Sequence, residues 1–404
     1  MQLLTSSSAP PPRPERWALL AHGFRPFFLL ASGYGSLFLL IWLVIHAGGA
    51  PHPARLSPVL WHGHEMVFGF AMAAVCGFLL SASATWSNAA AARGWRLGLA
   101  AGAWAAGRAA MWLSGLLPPA LVAAIDLLLV PLLAWTLLPV MLAKGARHHL
   151  MLLPALALFF LANLLVHLEA LGLAPGWGRR GLALGVNLLA LLITLFIGRI
   201  APTFLHLARL GGGMRPQPPA RPWLEMLAAG SVALFLLGDL FDPEARWVGA
   251  VAILAAGIAA GRMIAWRAGA ELRKPFIFFL HLGYAWVAAA LALTGWAYWG
   301  GPLPAESALH AMTAGGVATM ILTVMSIVGL LHTGRPPEFP IAVTLAVPLL
   351  SAAALLRVAA PVAFTEGYGT ALSAAGILWA AAMGTYAVAY WPILTKPRPD
   401  GLPG

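Results

Sequence analysis

Runs of about twenty predominantly apolar residues recur twelve times along this 404-residue sequence, separated by short polar punctuation. A helix rising about 1.5 Å per residue needs roughly that length to cross a hydrocarbon core about 30 Å thick. The pattern predicts an all-α fold, a polytopic transmembrane helical bundle of about 12 spans. These read Phe24 to His46, Trp61 to Thr85, Trp95 to Ser114, Pro118 to Leu142, His149 to Leu171 and Arg180 to Leu205. The second half reads Pro222 to Phe241, Arg246 to Trp266, Phe276 to Trp299, Ala305 to Leu331, Glu338 to Leu355 and Gly367 to Trp391. Composition agrees, with 61% hydrophobic and 9% charged residues, where soluble domains are nearer a quarter charged.

No soluble insert interrupts the spans, so residues 22–395 read as a single transmembrane domain. A Ser/Pro-rich tail, expected to be disordered, occupies residues 1–21, and a short tail occupies 396–404. A Gly- and Pro-rich connection near 206–221 divides the spans six and six, with no convincing sequence repeat across it. The first run is long, starts well into the chain and ends without a small-residue cleavage pattern, so it reads as a span rather than a leader. Cys76 is the single cysteine and falls inside the second span. That excludes thiolate clusters and disulfides within the chain, and leaves a small buried hydrophobe as its expected role.

Orientation follows from the basic residues, because Lys and Arg resist translocation. With the N-terminus inside, one side collects Arg13, Arg16, Arg93, Arg96, Lys144, Arg147, Arg209, Arg215, Arg221, Arg267, Arg273, Lys274, Arg335, Lys396 and Arg398. The other collects only Arg55, Arg179, Arg180, Arg246 and Arg357. Fifteen against five predicts both termini in the cytoplasm of a multi-pass protein. The formal charge of +11 is accounted for by this asymmetry and by anionic lipid, without nucleic acid.

Ionisable groups inside a membrane need a partner, a wet cavity or a function. Arg108 and Asp126 both fall roughly 10 Å below one surface, counted at 1.5 Å per residue from their connecting turn. They are expected to pair across that hairpin, with a substrate or proton path as the alternative. Glu225 with Arg262, and Asp239 with Arg246, read as further staples. Gly257 and Gly261 form a GxxxG pattern that reads as helix packing.

Packing alone has little use for imidazole, yet His62, His64, His167, His206, His281, His310 and His332 all lie within or at the ends of spans. An outer layer holds His62, His64 with Glu65, His167 with Glu169, and Glu306 with His310. An inner layer holds His22, His206, His281 and His332, with Arg25 and Arg199 at similar depth. His310 and His332 are separated by roughly 33 Å of helix, so one metal cannot bind both. Imidazole is the usual nitrogen ligand of haem iron and copper, and histidines on facing helices are a natural use of a bundle core. Glu65 and Glu306 are placed to orient imidazoles. His62 and His64 point to nearly opposite sides of a regular helix and can share one site only if that helix begins near Gly63. The alternative for these residues is interfacial hydrogen bonding. The His148-His149 pair follows Lys144 and Arg147 and reads as a solvated loop rather than an oxidase-type copper pair. No nucleotide fold, phosphate loop or Ser-His-Asp triad is visible.

Five segments resemble the NnrS family: Gly23-Phe24-Arg25-Pro26-Phe27-Phe28, Trp61-His62-Gly63-His64-Glu65-Met66-Val67-Phe68-Gly69-Phe70, Gly198-Arg199-Ile200-Ala201-Pro202, His310-Ala311-Met312-Thr313-Ala314-Gly315 and His332-Thr333-Gly334-Arg335. They run in order from the first span through the tenth. The resemblance implies a multi-pass protein of the bacterial inner (plasma) membrane, binding haem and copper and protecting against nitric oxide and nitrosative stress. It implies cofactor contacts at His62, His64, Glu65, His310 and His332, with metal ligation expected of His62, His64 and His310. Arg25, Arg199 and Arg335 become candidate propionate or anion partners. The chain departs from the family pattern before His332, where Met325 to Leu331 lacks the usual Arg, which removes one candidate propionate partner.

The leading functional expectation is a haem- or copper-binding protein of nitric oxide tolerance whose partners are the lipid bilayer and a small gas such as nitric oxide. A proton-coupled secondary transporter of a small solute and a nitric oxide reductase-like enzyme are the alternatives. The sequence leaves open whether the protein is an enzyme and what its redox partner is.

Overall fold

Backbone groups in hydrocarbon must bond to one another, and a helix achieves this within one segment. The structure is a computed structural model describing residues 18–87, 92–143, 150, 152–210 and 221–401. In chain order its helices are α1 (Phe24–His46), α2 (Pro58–His64), α3 (Met72–Ser87), α4 (Trp95–Trp112), α5 (Pro119–Asp126), α6 (Leu129–Leu142), α7 (Leu152–Ala170) and α8 (Trp177–Leu210). They continue as α9 (Pro222–Phe241), α10 (Arg246–Ala265), α11 (Pro275–Tyr298), α12 (Ala305–His310), α13 (Ala318–His332), α14 (Ile341–Ala363) and α15 (Tyr368–Thr395). Among the described residues eleven segments, some built of two consecutive helices, are long and apolar enough to cross a membrane. The remaining long helix, α4, has 18 residues and carries Arg96 and Arg108. The tail before Ala18, the His148-His149 pair, the centre of the 206–221 connection and residues 402–404 lie outside the described residues.

Helices α2, α5, α9 and α11 each open with proline in the first turn, where a missing N–H leaves no bond unmade. Gly334 ends α13 at φ +72°, a conformation that L side chains rarely adopt.

Three spans depart from regular helix, each beside a charged or imidazole group. A π-helical turn, Glu65–Ala71, joins α2 to α3 directly after His64, and a second, Ala311–Val317, joins α12 to α13 directly after His310. The fourth span breaks after Asp126, between α5 and α6. Such π turns occur frequently at functional sites.

Three spans converge at the centre: α8 touches both π turns, and α3 touches α13. Helices α1, α7 and α11 pack behind them, and α15 closes against α1. Cys76 is fully buried on α3. An apolar cavity of about 90 Å³ lies among the central helices, lined by Phe28, Phe78, Leu192, Phe196, Met320 and Met325 among others.

Several sequence expectations are corrected. Helix α2 begins at Pro58 rather than near Gly63, so His62 and His64 both sit on regular helix. Arg357 is not beyond its span: α14 continues to Ala363 and holds it more than a turn inside. Asp239 accepts from Asn187 Nδ2 at 2.8 Å and Tyr298 Oη at 2.5 Å instead of pairing with Arg246. Around Gly257 and Gly261 a Cβ would meet nothing within 4 Å, so the GxxxG pattern makes no close contact among the described residues. The Glu225–Arg262 staple is present, with Arg262 also donating to Thr194 O at 2.8 Å and Tyr284 Oη at 3.0 Å.

Candidate metal centre

The fourth span carries its only carboxylate at the break that ends α5, and this places Asp126 opposite α2, α4 and α7. From α2 comes His64, from the π turn after it Glu65, from α4 Arg108, and from α7 Asn163 and His167. All six are buried. On α7, Asn163 and His167 are four residues apart and therefore share one face.

Arg108 bonds Asp126 Oδ1 and donates to Glu65 Oε1 at 2.7 Å. Asp126 Oδ2 is the point of convergence, accepting from Asn163 Nδ2 at 2.8 Å and His167 Nε2 at 2.9 Å, with His64 Nε2 at 3.1 Å. His64 Nδ1 meets Glu65 Oε1 at 2.9 Å and its Nε2 also faces Asn163 Oδ1 at 2.9 Å. Tyr34 bonds the other Glu65 oxygen and accepts from Trp112 Nε1 at 3.0 Å.

Hydrogen-bond accounting sets the charge of this group. Both ring nitrogens of His64 face oxygens that act only as acceptors, so both carry protons. Arg108 and imidazolium His64 then balance Glu65 and Asp126, two cations against two anions. A buried ionic network survives when every member is satisfied. Gly107 permits the close approach: a Cβ there would lie 2.8 Å from Asp126 Oδ1 and 3.3 Å from its Cα.

One ligand atom from each of His64, Asp126 and His167 lies within 4.8 Å of the others. Two imidazoles and a carboxylate are a borderline donor set that suits copper, zinc, iron or nickel. Glu65 on His64 Nδ1 supplies the carboxylate that orients a ligating imidazole. The set fits a single ion once the Nε2 protons that His64 and His167 direct at Asp126 are released, since a ligating nitrogen must be unprotonated. It leaves no room for a macrocycle, because each donor is already in contact with the next.

The remaining sequence candidates fall into two further groups. His62 turns away from His64 and stacks on Trp42, with ring centroids 4.6 Å apart. It lies in electrostatic range of His310, His46 and Arg357, and its Nδ1 has no hydrogen-bond partner among the described residues. His310 Nδ1 donates to the backbone carbonyl of Glu306 at 2.7 Å, so the Glu306 carboxylate does not orient the ring. Thus His64 is brought to Asp126 and His167, whereas His310 is brought to His62. At the other end of the bundle His22 and His332 lie together, with centroids 5.6 Å apart. Arg25 donates to Leu394 O and Lys396 O, both at 2.8 Å, and lies in electrostatic range of Arg335. Arg199 and His206 are exposed on α8, and His281 packs edge-on to Trp266 at 5.3 Å; none of the three joins these groups.

The sequence pairs Asp126 with Arg108 in a hairpin staple and sets His167 in one outer layer with His62, His64 and His310, without joining Asp126 to that layer or singling out Asn163 or Tyr34. The four-residue spacing of Asn163 and His167 on a helix whose other polar residue is Glu169 near its end is the available signal. Tyr34 carried none, since tyrosine is common near membrane interfaces.

A family profile described as NnrS protein matches residues 18–398. Among curated proteins no match is found. The profile spans every described helix and the whole of the buried His64, Asp126 and His167 cluster, and the chain belongs to the NnrS family.

Proposed function

We propose that this chain is a metal-binding protein of nitric oxide and nitrosative stress tolerance, with one ion held by His64, Asp126 and His167. The convergence of three ligand atoms within 4.8 Å inside a membrane bundle carries the reading. Copper is the favoured ion for a donor set dominated by imidazole. Haem, the other cofactor the family resemblance implies, is better suited by His62 and His310. They lie in electrostatic range of each other, His62 Nδ1 is unpartnered among the described residues, and the bond to Glu306 O leaves His310 Nε2 a lone pair. Arg357 in the same group is the cation for a propionate. Haem iron and copper both bind nitric oxide and exchange single electrons. The apolar cavity beside the central helices suits a small uncharged gas that partitions into lipid.

The protein spans the inner membrane twelve times in this reading, α4 being the twelfth span, with both termini in the cytoplasm. Moving Arg357 into its span leaves fifteen basic residues against four, which supports that orientation.

Metal content per protein and the visible spectrum test the proposal. His64→Ala, Asp126→Asn and His167→Ala should each remove the same bound ion, and His310→Ala should leave it while removing any haem band. Unchanged metal content in all three variants of the cluster refutes the centre. A second reading, proton-coupled transport, draws on the continuous hydrogen-bonded chain from Tyr34 through Glu65, Arg108 and Asp126 to His167. A colourless, metal-free preparation from haem-replete cells would select it.

A further inference from the structure

Beyond its two π turns the centre of the bundle opens. Helix α8 touches α2 and both π turns but diverges from α3 and α13 past them, and the space between these helices and α1 is the cleft of about 90 Å³. Every side chain that lines it is apolar. Along α8 the lining runs from Leu189 to Ile200, roughly 16 Å of helix, so the cleft is long and lies parallel to the spans. Half-buried Val75, Ile193, Ile321 and Val324 mark its open side. An engineered cavity of about 150 Å³ takes a benzene ring. A narrower cleft of this length suits one hydrocarbon chain laid along the membrane normal.

The end of the cleft away from the π turns meets cations. Leu79 of the lining stands two residues before Ser81, whose hydroxyl accepts from the Phe24 backbone N–H at 2.9 Å and lies 3.3 Å from His22 Nδ1. The ring of Phe28, also in the lining, is 6.0 Å from that of Phe24, over which the Arg25 guanidinium sits at 5.4 Å. Arg25, Arg93 and Arg398 are in electrostatic range of His22. On α8, Arg199 is exposed between the lining residues Phe196 and Ile200. The carboxylates that approach are engaged: Asp400 is held by Arg398, and Glu225, beside Gly198, by Arg262.

A molecule that matches both parts carries a hydrocarbon chain and an anionic head. This end of the bundle holds both termini and is cytoplasmic in the orientation proposed above, facing a leaflet that carries anionic lipid. We propose that the cleft seats one acyl chain of an anionic phospholipid, with its phosphate at the end flanked by Arg93 and Arg199. Guanidinium is the side chain best matched to phosphate oxygens. A zwitterionic lipid offers the same chain without net charge, so selection comes from the arginines rather than from the cleft. A chain here extends the lipid phase toward the π turns and does not oppose entry of a gas that dissolves in lipid.

The experiment is native mass spectrometry of the full-length, delipidated protein titrated with phosphatidylglycerol, with phosphatidylcholine of the same chains, and with glycerol 3-phosphate as competitor. Wild type should retain one phosphatidylglycerol and bind phosphatidylcholine at least tenfold more weakly. Arg93→Gln and Arg199→Gln should each weaken phosphatidylglycerol about fivefold, the contribution of one guanidinium near an anionic surface, and leave phosphatidylcholine unchanged. Ala74→Phe, which fills the cleft, should weaken both lipids, and Val324→Phe at the half-buried rim keeps that arm readable if Ala74→Phe does not fold. Equal affinity of wild type for the two lipids overturns the proposal, as does phosphatidylglycerol binding unchanged by the cleft variants. Competition by glycerol 3-phosphate as strong as by the lipid assigns the arginines to a free phosphate and overturns the seated chain. Metal content plays no part in these readouts, so their failure leaves the His64 centre untouched.

Discussion

Removing the Arg108 side chain should damage the protein more than removing Arg108 and Asp126 together. Arg108→Met leaves Glu65 and Asp126 facing one imidazolium, an excess negative charge in a buried site, and strips a donor from each carboxylate. Asp126→Asn leaves the opposite excess. Breaking a buried pair from one side costs about 3–5 kcal/mol. The double variant retains His64 against Glu65, which is charge-balanced, so its cost should fall below the sum of the singles by at least the cost of one of them, about 3–5 kcal/mol. At roughly 2 °C per kcal/mol, the lower end for domains of moderate size, each single variant should melt roughly 6–10 °C below wild type. The double variant should melt no lower than either single. The assay is tryptophan fluorescence of the detergent-solubilised protein during heating, alongside recovery from size exclusion at matched expression. Strictly additive losses, or Arg108→Met melting within about 1 °C of wild type, would refute the charge-balance argument.

Three further expectations follow from other contacts. Gly107→Ala should destabilise the protein by about 1–3 kcal/mol, because the new methyl group meets Asp126 across the α4–α5 hairpin, and thermal melting checks it. Asp239→Ala should cost about 1–3 kcal/mol by orphaning Asn187 and Tyr298, whereas Arg246→Gln should stay within about 0.5 kcal/mol as an ordinary surface change; equal losses in the two would restore the Asp239–Arg246 staple. Reporter fusions after Pro397 and within residues 211–220 should both read cytoplasmic, and a periplasmic signal at either site would overturn the proposed orientation.

The helices were legible because lipid imposes a length and an apolar character that no other segment type meets. The Arg108–Asp126 contact was legible for a similar reason, since counting at 1.5 Å per residue from a tight turn fixes depth. Glu65 on His64 followed from adjacency. What pattern reading missed was set between helices. The joining of His64 to Asp126, Asn163 and His167 depends on which faces α2, α5 and α7 present to one another, and apolar runs without strong amphipathicity do not reveal that. Arg357 shows the complementary error, in which a charge was read as the end of a span. Its helix instead continues past it, with Tyr368, Glu306, His62 and His310 in electrostatic range.

The opposed directions of His62 and His64 were readable from their spacing, but the use made of that opposition was not. A π turn inserts an extra residue and so rotates everything beyond it by roughly 100° relative to a regular helix. Placed directly after His64, it separates two demands on one span: α2 must aim one imidazole at Asp126 and the other at Trp42, while α3 must present an apolar face to α1. The turn directly after His310 does the same for α12 and α13, where His310 sits beside His62 and the residues beyond pack on α11. A regular helix would carry each histidine's direction into the packing of the next twenty residues, so a change of site would require a change of core. The two π turns uncouple the outer histidine groups from the apolar core, and the same uncoupling leaves His332, at the far end of α13, and His22, just before α1, to be positioned by Ser81 of α3, Phe24 and the arginines around them.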